Sequence, residues 1–209
     1  MLGTFDRPTL AVAVAVSVGV GLLLEATSLP DGSAYRRSWP DSTAYMELRA
    51  AQARAAGERL DLRYRPVPSA DVPDHLRRAV RVAEDASFYR HPGIDVHELT
   101  SALVEAWREK RMPRGASTIT QQLARNLYLS PERTLTRKAR EAVIAFRMEA
   151  ELSKARILEL YLNVIELGDG IFGVQAASTR YFGRPVARLS RRQAAMLAAT
   201  IPSPRTDNP

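Results

Sequence analysis

Gly115-Ala116-Ser117-Thr118-Ile119-Thr120-Gln121-Gln122-Leu123-Ala124-Arg125-Asn126 is the stretch on which the reading of this chain turns. It is rich in polar side chains, lies between apolar-periodic segments and contains no proline, so a plain loop describes it poorly. Gly115 and Ala116 make a small, permissive approach, after which Ser117 or Thr118 can cap a helix. Thr118 followed by Gln121 has the spacing of a capping box, in which each side chain satisfies an orphan amide of the first turn. A helix N-terminus reached through small residues, with Arg125 one turn past Gln121, also suits a phosphate, because amide dipoles and a fixed cation converge there. Taken alone, a capped surface helix is the simpler reading. The neighbours decide.

The chain has 209 residues and no cysteine, which rules out disulfides and thiolate metal sites. With 45% hydrophobic residues it can bury a sizeable core. A net charge of +7 and a pI near 10.1 favour anionic partners: nucleic acid, acidic lipid headgroups or phosphorylated substrates. Its three histidines, His75, His91 and His97, lack metal-site spacing, so a zinc enzyme is not expected.

Residues 10–24 form an uncharged run with Ser17 as its polar member, bounded by Arg7 and Glu25. A spanning helix needs roughly 17–25 residues, a length reached when Thr9 and Ala26 join the run. No small-x-small cleavage site follows before Pro30, so an uncleaved signal-anchor is expected in preference to a cleaved signal peptide. Three parts follow: a stub and anchor at 1–26, a connector at 27–65, and a mainly α domain at 66–209. The connector carries an alanine- and arginine-rich helix over residues 43–60 and an extended stretch before Pro66 and Pro68.

Asp71-Val72-Pro73-Asp74 starts a helix that Leu76, Ala79, Val80 and Ala83 carry to Glu84 and Asp85. Two adjacent carboxylates at a helix C-terminus, where the dipole is negative, push at least one pKa upward, which suits a general base near neutral pH. A compact turn with Phe88, His91 and Gly93 follows. Residues 97–112 read as a helix with Leu99, Ala102, Leu103 and Ala106 on one face. Its Trp107 and basic end (Arg108, Lys110, Arg111, Arg114) fit an interfacial segment as well as a half-buried helix.

Ser130-Pro131 has the form of a cap with proline at the first helical position, opening a long helix towards Leu152. On it Arg137, Lys138 and Glu141 share a face, either as a surface ion pair or as a cationic clamp for a pyrophosphate with a carboxylate beside it. Ser153 restarts a helix, residues 163–170 form a polar break, and Gly183 closes a short helix. Ser190 with Gln193 opens the last helix, which Pro202 stops. No sustained period-2 alternation and no hairpin turn is evident, so the fold is expected to be mainly α.

In this order the motifs resemble glycosyltransferase family 51, the peptidoglycan glycosyltransferases. The resemblance rests on Glu84-Asp85 with Phe88, His91 and Gly93; on residues 115–122; and on Arg137-Lys138 with Glu141. It continues through Lys154-x-x-Ile157-Leu158-Glu159-x-Tyr161-Leu162-Asn163, Gly170-x-x-Gly173, Tyr181-Phe182-Gly183 and the run from Ala194 to Ala198 before Ile201-Pro202. It covers residues 66–205 and implies a lysozyme-like α fold on the periplasmic face of the bacterial inner membrane. The implied substrate is lipid II, joined to a growing glycan strand by β-1,4 bonds with inversion. The implied partners are the membrane and the cell-wall synthesis machinery, without nucleic acid.

Carried over by position, Glu84 is the general base. Arg125, Arg137 and Lys138 hold the pyrophosphate, and Ser117, Thr118, Gln121 and Gln122 line the donor cleft, with Ser117 and Gln121 favoured for contact. Glu141, the second catalytic carboxylate, orients the cations or a divalent metal (Mg or Mn). No cofactor is otherwise implied. Ala116, Arg125 and Gln193 depart from the commoner glycine, lysine and glutamate; Arg125 keeps the charge but changes its geometry. More helix is expected past Pro204, and with no transpeptidase domain following, a monofunctional enzyme is expected. Two rivals remain: a peptidoglycan-cleaving enzyme on a similar scaffold, which would use a glutamate as acid, and a membrane-tethered protein that binds nucleic acid or anionic lipid without catalysis.

Overall fold

The computed structural model describes residues 30–110, 115–132 and 134–209. Its elements are, in chain order, α1 (Ala44–Ala55), β1 (Arg63–Tyr64), α2 (Asp74–Glu84), α3 (Val96–Glu109), α4 (Ile119–Tyr128) and α5 (Leu135–Glu151). After these come α6 (Lys154–Val164), β2 (Glu166–Gly168), β3 (Ile171–Phe172), α7 (Val174–Phe182) and α8 (Arg191–Thr200). The fold is mainly helical, and residues from Gly32 to Pro209 form one compact unit. The apolar run at 10–24, with Arg111 and Arg114, lies outside the described residues. Among the described residues no helix is long and apolar enough to cross a membrane.

The helix starts follow cap chemistry. Thr43, Asp95, Thr118, Thr134, Ser153 and Ser190 each accept a hydrogen bond from a backbone N–H of the first turn. Each such cap stabilises its helix by about 1 kcal/mol. Both predicted capping boxes form, Thr118 with Gln121 and Ser190 with Gln193. One start differs from expectation. α5 begins at Leu135 rather than just after Ser130, because Thr134 Oγ1 takes the Arg137 amide at 3.2 Å.

α4 is the centre of the domain and packs against α5, α6 and α1, while α2 packs on α8. Ile119, Leu123 and Ala124 are fully buried, but so are Thr120, Gln121, Gln122 and Asn126 or nearly so. Such a helix is stable only if its buried polar groups are paired, since each orphan costs about 1–3 kcal/mol. Asn126 donates to its own helix at Gln122 O (2.8 Å), and Thr120 donates to Glu149 across to α5. Around them Phe88, Ile144, Met148, Leu160 and Tyr161 close the core.

The mainly α expectation holds, with the addition of a small sheet of order β1-β3-β2, in which β1 is parallel and β2 antiparallel to β3. Strands of two or three residues are too short to show alternation, and both faces of β2 and β3 are buried, which erases the polar-out signal. The Asp169-Gly170 dipeptide makes the hairpin turn. The predicted polar break is buried too, apart from Asp169 at the turn. Asn163 accepts from Val67 N (2.8 Å) and donates to Val67 O (2.9 Å), and Glu166 takes two bonds from Arg49 (2.9 and 2.7 Å). These contacts fasten residues 44–67 to the rest of the unit.

Gly173 caps α7 with φ +82°, and a Cβ there would lie 2.2 Å from the Asn163 carbonyl oxygen. Gly173→Ala is expected to destabilise by about 1–3 kcal/mol from backbone strain alone. At roughly 2–4 °C per kcal/mol for a chain of this size, calorimetry will register the loss as a lower Tm. An unchanged Tm would refute the close approach.

Candidate active site

α2 ends at Glu84, and the next residue fixes where that end points. Asp85 is buried; one oxygen lies 3.0 Å from His91 Nε2 and the other accepts the Ile119 N–H at 3.0 Å. A carboxylate on the first free amide of α4 is favoured by the helix dipole, so Asp85 ties the C-terminus of α2 to the N-terminus of α4. That junction sets Glu84 beside Gln122. Gln122 Nε2 donates to Glu84 Oε2 at 2.9 Å, and Tyr161 Oη donates to Gln122 Oε1 at 2.9 Å.

Burial pushes the Glu84 carboxyl above its ordinary value, against the lowering by the Gln122 hydrogen bond and the Arg125 charge. The expected direction holds, but its cause is corrected. The shift comes from desolvation, and Asp85 is spent on structural bonds rather than on repelling its neighbour.

Glu84 lines a cleft of about 420 Å³ together with Ser87, Arg90, His97, Ser117 and Thr118. The cationic face of α5 reaches this wall through one contact, Lys138 Nζ donating to Ser117 Oγ at 2.7 Å. Lys138 and Arg137 each pair with one oxygen of Glu141, whose side chain is 0% exposed. The spacing seen in the sequence therefore gives a triad built on a buried carboxylate, and its charge sum leaves one cation in excess beside the cleft. Arg137 Nε is buried with no hydrogen-bond partner. Since both Glu141 oxygens hold cations, this carboxylate does not fit as ligand to the Mg or Mn left open above. Among the described residues no cluster of three or more metal-ligating side chains occurs.

Glu84, Ser117 and Thr118 thus share one cleft, with Lys138, Arg137 and Glu141 behind Ser117. Gln122 and Arg125 line a neighbouring recess of about 140 Å³ with Tyr45, Asn126 and Glu166. Gln121, favoured for substrate contact from the sequence, is 4% exposed, and its Oε1 accepts the Thr118 amide at 3.0 Å. It holds the turn. Thr118 is also occupied: its hydroxyl takes the Gln121 amide and donates to Gly93 O.

Arg90, His97 and Tyr161 escaped sequence reasoning as site residues. Tyr161 falls in the apolar period of α6 and is indistinguishable from core until its partner is known. A recess of about 490 Å³ elsewhere is lined by Arg49, Arg63 and Arg205 among others. Those three arginines are paired with Glu166, Asp61 and Asp169. Its carboxylates Asp61 and Asp169 are spent on those pairs, so the chemistry is assigned to the Glu84 cleft.

Residues 53–209 match the protein family described as Transglycosylase. A biosynthetic peptidoglycan transglycosylase of Thiobacillus denitrificans is 49% identical over 166 residues, 79% of this chain and 72% of that protein. One from an Azoarcus species is 47% identical over 171 residues, covering 82% and 74%. A third, from Nitrosomonas eutropha, is 40% identical over 186 residues, covering 89% and 76%. By this match, which spans most of its length, the chain belongs to the transglycosylase family of glycosyltransferases.

Proposed function

We propose that this enzyme polymerises lipid II, an undecaprenyl-pyrophosphoryl disaccharide-pentapeptide, into β-1,4-linked peptidoglycan strands on a lysozyme-like helical domain. The observation that carries the reading is the pairing of a half-buried carboxylate of raised pKa with a cleft wall bonded to a cation cluster held on the buried Glu141. The acceptor sugar hydroxyl attacks the donor's anomeric carbon while Glu84 takes the hydroxyl proton. The anomeric C–O bond to pyrophosphate breaks on the opposite face, so configuration inverts in a single displacement. The departing pyrophosphate gathers negative charge and needs fixed cations more than a proton donor. Lys138, Arg137 and Arg125 supply them, with Glu141 holding the first two in place. Ser117 orients Lys138 at the cleft wall, and Thr118, Gln121 and Gln122 keep that wall and the base in register.

Incubation with labelled lipid II in detergent and, separately, with finished glycan strands tests the proposal. Growth of polymer with release of undecaprenyl pyrophosphate is expected. Shortening of finished strands would replace it with the cleaving activity, which has no need of a cation cluster.

A lipid-linked substrate requires a membrane surface. We place the domain on the periplasmic face of the inner membrane, tethered by the segment at 10–24, beside other cell-wall synthesis proteins. α3 supports this placement. The predicted apolar face divides: Ala102 and Ala106 are buried, whereas Val96, Leu99, Val104 and Trp107 are exposed, Trp107 by 87%. Val96 and Trp107 share one side of the helix with Val104 and Arg108 next to them, while Leu99 lies nearer the buried Ala106. Aromatic and apolar side chains beside cations suit the headgroup boundary. Trp107→Glu is expected to lower sedimentation with anionic vesicles by about 10-fold or more, taking a few kcal/mol for moving a tryptophan-sized apolar surface out and a charge in. Equal sedimentation of the two proteins would remove α3 from the membrane contact.

A further inference from the structure

Glu84 as base, the reading on which this inference rests, leaves open what holds that carboxylate in its working state. We infer that Tyr161 is a positioning residue for the reaction: its buried hydroxyl locks the Gln122 amide so that Nε2, not Oε1, faces the Glu84 carboxylate.

The argument is one of donors and acceptors. An ionised carboxylate only accepts, so the amide NH₂ of Gln122 must face Glu84. Its second hydrogen points to Ser117 O at 3.4 Å. Oε1 then faces α6, where a donor is required, and Tyr161 Oη provides it at 2.9 Å. Tyr161 is fully buried, and burial raises its own pKa well above the ordinary value, so it keeps the proton it donates. A flipped amide would set Oε1 against the carboxylate and lose the bonds to Glu84 and Ser117 O, and Tyr161 Oη could then only accept from Nε2, giving up the bond that its buried hydrogen donates. A phenylalanine here would fill the same core volume and leave the amide free to turn. Nothing about packing alone calls for the hydroxyl.

The groups facing Glu84 are Arg125 on α4, the adjacent Asp85, Tyr161 on α6 and, across the cleft, Arg90, Asp95, His97 and Glu98. Only Tyr161 changes in Tyr161→Phe, so a change in Glu84 titration belongs to the lost lock. An amide oxygen beside the carboxyl favours its protonated form, which moves the titration to higher pH.

Two readouts test this. In the first, the pH profile of kcat/KM on lipid II is compared for wild type and Tyr161→Phe. The acid limb is expected to move up by about 0.5–1 pH unit and the plateau to fall by roughly 3–10-fold. In the Gln122→Ala background the same substitution should produce no further shift, as two residues acting through one contact are not additive. In the second, the Glu84 carboxyl is titrated by NMR in ¹³C-glutamate-labelled protein, with Glu84→Gln providing the assignment. This readout needs no turnover, so it decides on the lock even if lipid II is not the substrate. A uniform loss of activity with both titrations unmoved would leave Tyr161 as core packing and overturn the inference. So would a shift that persists without Gln122.

Discussion

Glu84→Gln is expected to lower lipid II polymerisation by about 10²–10⁴-fold at neutral pH, the usual contribution of a positioned general base. The substitution is a clean one here. A glutamine keeps the side-chain volume, and its Oε1 can still accept from Gln122 Nε2, so the contact at 2.9 Å survives while the proton acceptor is lost. Donor binding should persist, because the cation cluster on α5 is untouched, and an unchanged Kd for an unreactive lipid pyrophosphate measures that. Full polymerisation by the variant would remove Glu84 from the role assigned to it.

The same residue carries a pH prediction. A base works deprotonated, and burial raises this carboxyl above the ordinary 4.5. The acid limb of wild-type activity therefore lies above that value, and the rate falls as pH drops through it. For stability the sign is opposite to that of a salt-bridged carboxylate. The folded protein holds the Glu84 proton more tightly than the unfolded chain does, so ionisation costs stability once pH rises past 4.5. Glu84→Gln should then melt no lower than wild type at neutral pH, and any gain should vanish as the pH falls below that of the unfolded carboxyl. An active site that weakens its own fold in this way is a common exchange of stability for function.

How much of this was legible beforehand depended on whether the signal was local. Thr118 with Gln121 spells a capping box within four residues, and the box forms. The helical phase of Arg137, Lys138 and Glu141 likewise placed three charges on one face. Burial could not be read there, and it is burial that turns a surface ion pair into a clamp with Glu141 at 0% exposure. The sheet was missed because strands of two or three residues are defined by partners distant in sequence. Gln122 and Tyr161 stand 39 positions apart, and no pattern along the chain announces that they meet. The ordered motifs pointed to the cleft; only the fold distinguished Gln121, which holds the turn, from Gln122, which bonds Glu84.

Glu141 is where that difference has its largest energetic consequence. Its two oxygens are shared between Arg137 Nη1 and Lys138 Nζ, with no solvent exposure. Glu141→Ala would leave two neighbouring cations without a counter-ion, Arg137 in a side-chain environment only 14% exposed. Removing one partner of a buried pair costs about 3–5 kcal/mol, since the charge left behind is uncompensated. For a chain of this size that is a fall in Tm of roughly 6–20 °C. Lys138→Ala differs in kind. Glu141 keeps Arg137, the lysine is 43% exposed, and the stability loss should be small. Its effect should instead fall on turnover, with kcat/KM for lipid II reduced by about 10²-fold through loss of a fixed cation at the leaving pyrophosphate. The two variants therefore separate holding from reacting. Glu141→Ala should recover part of its activity when low temperature restores the fold, and Lys138→Ala should recover none. A Glu141→Ala protein that melts with wild type would show that the carboxylate is not what keeps the cations together. A Lys138→Ala protein of full activity would show that the cluster is structural and that Arg125 alone faces the pyrophosphate.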